Sequence, residues 1–421
     1  MKFHSNSKKR ILFVHPIFSV YGGAEKLMLD LFRRTKKDFE SEMYTLYYAD
    51  CLKNETRVHW ATKNSPKLTN IFGFKTNPLS YTYIKKLARM IAEDYKTGDV
   101  LFITNVPASL VLYEAVKINP KIKYGKNIFL SFEPDRILYY REVKEAGYLP
   151  EDLDTLKFRL ASPLFFNWKR KDYFAVENYI KEVFTLSDYV TSQTKAVYRN
   201  KKVKKATEMY VDLDKFKIKS KSDSREKIEN HFKLGLKNSD VIVLSQSRIE
   251  RSKGILELVD TIKKINGEGG YENLKLLIGG RGNLMDELKK ETKDMKNVHI
   301  LGFIPNELLH HLYGAADIFV ALPRKETGGP LTILEGMYAQ AITISSNEGG
   351  PPELIKNGIT GYLVSPNSTK EISEKIKKSY LMKMNNTEEY KKITRLAKEE
   401  VVKKFSFDNF YKTLIGNILK V

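Results

Sequence analysis

The stretch from Ala321 to Pro352, ALPRKETGGPLTILEGMYAQAITISSNEGGPP, constrains this chain more than any other. An apolar strand ending near Leu322 enters a loop of charged side chains and glycines, and a helix starts at about Leu331 with Glu335 one turn inside it. The order puts a helix N-terminus at the mouth of a strand. First-turn N–H groups have no intrahelical partner, and with the helix macrodipole they favour a phosphate by about 0.3–2 kcal/mol. A carboxylate one turn inside can accept hydrogen bonds from sugar hydroxyls, so the stretch reads as a nucleotide-sugar site.

The same strand, turn and helix order recurs in two series, which predicts an α/β chain of two doubly wound domains. In the first series Arg10–Val14, Glu42–Tyr48, Asp99–Thr104 and Asn127–Phe132 read as strands. After the first of them, Gly22 and Gly23 let backbone approach a bound group without a Cβ in the way. The second series begins at Asp240, with Val241–Leu244, Leu274–Ile278, Asn297–Gly302 and Ile342–Ser345 as strands. Arg248 and Lys253 follow its first strand and close on Gly254, a spacing that lets both cations reach one diphosphate. Gly279-Gly280-Arg281-Gly282 lacks the spacing of a dinucleotide motif and reads as packing and turn formation. The polar run 217–225 suggests a linker, giving domains 1–216 and 226–390, with C-terminal helices over 391–421. His310 and His311, neighbours on a helix, cannot form an i, i+4 metal pair and read as surface residues. The aromatic and basic segment Leu149–Asp172, with Phe158, Leu160, Leu164, Phe165, Phe166 and Trp168, reads as core, although such a helix also suits a membrane surface.

Glu326, Gly329, Pro330, Leu331, Thr332, Glu335, Gly336 and Met337 resemble the signature of family 4, the retaining GT-B glycosyltransferases also called group 1. That family usually separates its two acids by seven residues. Here eight separate Glu326 from Glu335, so Glu326 takes the place of the first acid across a one-residue bulge. The resemblance implies two Rossmann-like domains facing a cleft, with the last helix crossing back to the first domain. Arg248 and Lys253 would meet the donor diphosphate, Glu335 the ribose and Glu326 the donor sugar. The backbone at Phe303 and Ile304 would lie along the base, and Gly22-Gly23 would face the donor phosphates or the acceptor. Glu133 and Arg136 match the acceptor-side pattern His-Glu-Pro-Pro-Arg, with Phe132 in place of its His; a loop salt bridge between the two explains them as well. Ser187–Gln193 resembles the last strand of the family's first domain, and Tyr210–Phe216 its exit segment. The implied activity is transfer of a hexose from a UDP- or GDP-sugar to a glycan or lipid-linked acceptor, with neither cofactor nor metal. An epimerase or phosphorylase on the same architecture remains an alternative.

At 421 residues the chain has room for two or three cores. Its single cysteine, Cys51, excludes an internal disulfide and a cysteine metal cluster, and fits a reducing cytoplasm. His15 and Pro16 interrupt the apolar start, which therefore reads as a first strand and not a signal peptide. The net charge of +21 admits an anionic membrane face, nucleic acid or a lysine bias without function. A lipid-linked acceptor favours peripheral contact with the inner face of a membrane. Basic and aromatic residues interleave too sparsely on any strand face to favour an inactive nucleic-acid-binding protein.

Overall fold

The computed structural model describes residues 9–18, 23–63, 69–71, 74–76, 80–149, 159, 162–216, 218–325 and 329–420. The chain divides into two compact units, Met1–Thr207 with Thr413–Val421, and Glu208–Lys412. Each holds one parallel sheet.

The first sheet is built from β1 (Arg10–Val14), β2 (Glu40–Tyr47), β3 (Val58–Thr62), β6 (Val100–Thr104), β7 (Lys126–Leu130), β8 (Glu182–Thr185) and β9 (Val203–Lys205), in the order β3-β2-β1-β6-β7-β8-β9. The short strands β4 (Thr69–Ile71) and β5 (Phe74–Thr76) form a separate antiparallel pair. The described helices of this unit include α1 (Gly23–Asp38), α2 (Ser80–Asp94), α3 (Asn105–Ile118), α4 (Tyr140–Glu145), α5 (Phe166–Tyr179) and α6 (Asp188–Val197).

The second sheet takes β10 (Val241–Gln246), β11 (Leu274–Gly279), β12 (Val298–Gly302), β13 (Ile318–Ala321), β14 (Ile342–Ser346) and β15 (Tyr362–Val364), in the order β12-β11-β10-β13-β14-β15. Around it lie α7 (Lys221–Phe232), α8 (Ile255–Glu268), α9 (Met285–Glu291), α10 (Asn306–Ala315), α11 (Leu331–Tyr338), α12 (Pro351–Leu354), α13 (Thr369–Asn385) and α14 (Thr387–Lys404), and the last helix, α15 (Phe407–Lys420), is divided between the two units. These two Rossmann-like sheets with alternating helices are the GT-B fold.

The local reasons are simple. Val241, Ile242, Val243 and Leu244 are all buried, as a parallel strand covered on both faces requires. In α8 the buried set Ile255, Leu258, Val259, Ile262 and Ile265 keeps the helical period and lies on that sheet, each side chain contributing about 1.5–3 kcal/mol.

Four expectations need correction. Ser187–Gln193 is not a strand: the Ser187 hydroxyl accepts the Val190 N–H and starts α6. The polar run 217–225 is not all linker, because α7 begins at Lys221 behind the Ser220 cap. His311 is buried, not superficial; α10 packs on α7, and Lys227 Nζ lies 3.1 Å from its Nε2. Leu164 and Phe166 are exposed instead of core, while Phe165 and Trp168 do pack on the core. Phe158 and Leu160 lie outside the described residues.

Candidate functional site

Strand order reverses between β10 and β13, and in open parallel sheets ligands bind at such a switch point, outside the carboxyl ends of the strands. The two loops that carry the predicted donor residues leave these two neighbouring strands. Their positions follow from the topology.

After β10 the chain passes Ser247–Glu250, makes a single 3-10 turn at Arg251–Lys253 and enters α8. Gly254 turns it with φ +66°, and a Cβ there would lie 2.6 Å from both Cβ and carbonyl oxygen of Leu322. Only glycine fits this left-handed close approach. It presses the Lys253 turn against the strand end that leads to α11. The Arg324 N–H donates to the Ser252 carbonyl at 2.9 Å, and the Arg324 guanidinium pairs with Glu257. Arg248 is 69% exposed and pairs with Glu250 at 2.9 Å, an exchangeable surface contact worth under about 1 kcal/mol. Its guanidinium can therefore exchange that partner for an anion.

After β13 the loop is pinned from below. Ser345 Oγ donates to the Ala321 carbonyl at 2.7 Å and Ser346 Oγ to the Pro323 carbonyl at 2.5 Å. Glu326 lies outside the described residues. Gly329 is buried against Leu354 of α12, and Pro330 caps α11. Leu331 and Thr332 are the first two helical residues, so their amides belong to the set a helix leaves unpaired internally. Glu335 sits one turn inside and is 8% exposed. Tyr313 on α10 brings its hydroxyl beside this carboxylate, and burial together with the negative charge pushes the Tyr313 phenol well above its ordinary range. The hydroxyl donates to Gln246 Oε1 at the end of β10 at 3.3 Å. Neither Tyr313 nor Gln246 is signalled by the sequence, because the residues come together only in the fold.

Next to β10, the 279–282 glycines serve packing, as expected. Added Cβ atoms at Gly280 and Gly282 would lie 1.8 Å from the Ser247 carbonyl oxygen and 2.1 Å from that of Ile249. Ser247 N–H donates to the Gly279 carbonyl and Ile249 N–H to that of Arg281, lacing the two loops together. Beyond β12, Ile304 is buried, whereas Phe303 is 61% exposed with the Arg281 guanidinium 5.5 Å from its ring centroid. That exposed ring and cation offer a flat surface to a base.

In the first unit, Gly22 lies outside the described residues and Gly23 is the first residue of α1. His15, just past β1, is buried, and desolvation lowers its imidazole to about 4. Its Nδ1 lies 2.7 Å from Thr104 Oγ1 at the end of β6. After β7, the Phe132 N–H donates to Asn105 Oδ1 at 2.9 Å. Glu133 and Arg136 form an ion pair with each other at 2.9 Å. Asp135 between them is half-buried and accepts the amides of Ile137 and Leu138, while desolvation raises its carboxyl.

Residues 226–400 match the family model described as Glycosyl transferases group 1. An uncharacterized glycosyltransferase of Methanocaldococcus jannaschii is 27% identical over 243 residues, 57% of this chain and 60% of that protein. The UDP-Gal:alpha-D-GlcNAc-diphosphoundecaprenol alpha-1,3-galactosyltransferase of Escherichia coli is 34% identical over 37% of this chain and 40% of its own length. The chain thus spans about half the length of these relatives. Among solved structures, Anabaena Alr3699/HepE in complex with UDP and glucose superposes with a TM-score of 0.71 at 16% identity, covering 98% of this chain and all of that one. The second unit of this GT-B chain therefore carries a glycosyltransferase group 1 domain.

Proposed function

We propose that the protein is a retaining, metal-independent glycosyltransferase that moves a hexose from a UDP- or GDP-linked donor to a glycan or lipid-linked acceptor at an anionic membrane face. The observation that carries this reading is the buried Glu335, one turn inside α11 with Tyr313 beside it, next to the switch point where the Lys253 turn packs on Leu322. That arrangement suits a ribose carboxylate next to a diphosphate. UDP in the Anabaena complex and a diphosphoundecaprenol acceptor in the E. coli relative's name support the two substrate classes.

When the bond from the anomeric carbon to the diphosphate oxygen breaks, its electron pair and a negative charge remain on the leaving phosphate. Arg248, Lys253 and the amides of Leu331 and Thr332 would stabilise that charge where it develops, typically the largest electrostatic contribution to such a step. Glu335 and Glu326 would hold ribose and sugar hydroxyls, and neither needs to act as a nucleophile. Phe303 would lie along the base, with Gly22-Gly23 toward the phosphates and Glu133 and Arg136 on the acceptor side.

The test is transfer from radiolabelled UDP- and GDP-hexoses to polyprenyl-diphosphate sugar acceptors, with and without EDTA. Chelator-insensitive transfer with retained anomeric configuration is expected. Lys253→Ala and Glu335→Ala should each lower the rate by about 100-fold or more, the size of loss typical for a group that stabilises developing charge, at an unchanged melting temperature. Wild-type rates in both variants would remove these roles. Epimerised donor, or glycan-dependent uptake of phosphate, would replace the transferase reading.

A further inference from the structure

The first unit has a second surface that the donor chemistry does not use. Helix α5 packs beside α3, and the short 3-10 turn Pro120–Tyr124 follows α3 directly. Asn127 Nδ2 joins that turn to the end of α5 by donating to the carbonyls of Ile122 at 2.8 Å and Tyr179 at 3.0 Å. The Phe174 ring meets Tyr113 of α3 edge-on at 5.9 Å and Tyr179 at 5.5 Å. These segments therefore form one continuous face, with Leu164 in the turn that leads into α5.

Two properties of that face coincide. Ile118, Tyr124, Leu164, Phe166 and Phe174 are 46–77% exposed, and among the described residues of this unit the one other exposed large apolar side chain is Ile17, at 37%. The charges sort by sign. In 105–126 and 162–179 the acids Glu114 and Asp172 are buried and Glu177 is half-buried, whereas Lys117, Lys121, Lys123 and Arg170 are exposed. Every exposed charged side chain of these segments is thus a cation. Scattered exposed apolar groups are ordinary, but a row of them edged by cations alone is not.

We propose that this face, α5 with the end of α3 and the Pro120–Tyr124 turn, docks the protein on an anionic lipid bilayer. The lysines and Arg170 would meet lipid phosphates while Leu164, Phe166 and Phe174 enter the headgroup boundary, the arrangement of an interfacial amphipathic helix. A helix face of aliphatic and aromatic groups suits a bilayer better than nucleic acid, which binds in a basic groove with stacking platforms. The inference rests on the lipid-linked acceptor for its purpose, although the contact is measurable without it.

Full-length protein is to be sedimented with vesicles of phosphatidylcholine alone and with 30–40% phosphatidylglycerol, a range of roughly physiological anionic content. Binding to the anionic vesicles only is expected. Lys121→Glu with Lys123→Glu, and separately Phe166→Ser with Phe174→Ser, should each weaken it about tenfold, and the second pair should do so even in moderate salt. Lys289→Glu with Lys290→Glu on α9 changes net charge by the same amount and should leave binding intact. Equal losses in this control pair would show diffuse attraction and overturn the proposal. So would tight binding of a single-stranded RNA oligonucleotide through the same four residues. The thermal shift caused by a nucleotide sugar separates the two readings. If it is absent while vesicle binding holds, the donor site fails; if it persists in variants that no longer bind vesicles, the two sites act independently.

Discussion

Tyr313 illustrates what a single residue adds to the candidate donor site. Glu335 is buried, and a buried carboxylate needs donors to keep it charged and in one orientation. Tyr313 brings a hydroxyl beside it from a different helix, placed to donate to it in place of Gln246. Removing that hydroxyl should therefore act through Glu335. Tyr313→Phe is expected to weaken binding of the cognate nucleoside diphosphate about tenfold, or ~1.4 kcal/mol, the usual range for a hydrogen bond to a charged group. Calorimetry with the 2′,3′-dideoxy analogue supplies the control: if the tyrosine works by aiming Glu335 at ribose hydroxyls, the variant and the wild type should bind that analogue equally weakly. An equal loss for both nucleotides would make Tyr313 a packing residue only. The positions of Glu335, Lys253 and Gly254 were legible in the sequence because each stands at a fixed offset from a strand end. Tyr313 was not, since 21 residues and a strand crossing separate it from Glu335 and no spacing rule links them.

At the scale of elements, the second unit is tied together at the edge opposite the donor loops by one carboxylate. Asp317, just before β13, is fully buried. It pairs with Lys221 and Arg225 of α7 and Lys383 of α13, and accepts the Ile242 N–H from β10 at 3.0 Å. Burial opposes its charge, but the three cations outweigh that and hold its pKa below the usual carboxylate value. Asp317→Asn would leave the partly buried Lys221, Arg225 and Lys383 without their anion, and breaking such a network at its fully buried member costs about 3–5 kcal/mol. A fall of that size in urea-unfolding stability is expected, with Lys383→Met costing much less because Lys221 and Arg225 still pair with the carboxylate. Equal costs would mean the network is not organised around the carboxylate. This cluster also explains why 217–225 misleads as a sequence: Lys221 and Arg225 look like solvated linker charges until β13 is folded beside them. Ser187–Gln193 misleads in a related way. Its Tyr, Val and Thr favour a strand by composition, and a single capping hydroxyl settles the helix instead. The parallel strands were read correctly because burial on both faces leaves continuous apolar runs, a signal that does not depend on distant partners.

Across the whole molecule, the last helix belongs to both units. Phe407–Lys412 belongs with the second unit and Thr413–Val421 with the first. Leu414, Ile415 and Ile418 are buried, and Asn417 Nδ2 donates to the Ala206 carbonyl at 2.6 Å, at the far end of the first unit's own chain. Burial of three such aliphatic side chains contributes up to about 5–9 kcal/mol, and less against a compact denatured state. This is comparable with the entire stability of a domain. Ending the chain after Lys412 should therefore loosen the first unit and spare the second. Hydrogen exchange followed by peptide mass analysis is expected to show faster exchange in β8, β9 and α6, with β10, β11 and α8 unchanged. Protection unchanged in both units would mean that the terminal helix lies on the surface without supporting it. Loss in the second unit alone would assign the helix wholly to the group 1 domain. The terminal residues carry no predicted chemistry, so the nucleotide-induced thermal shift of the second unit should survive the truncation even where the first unit does not.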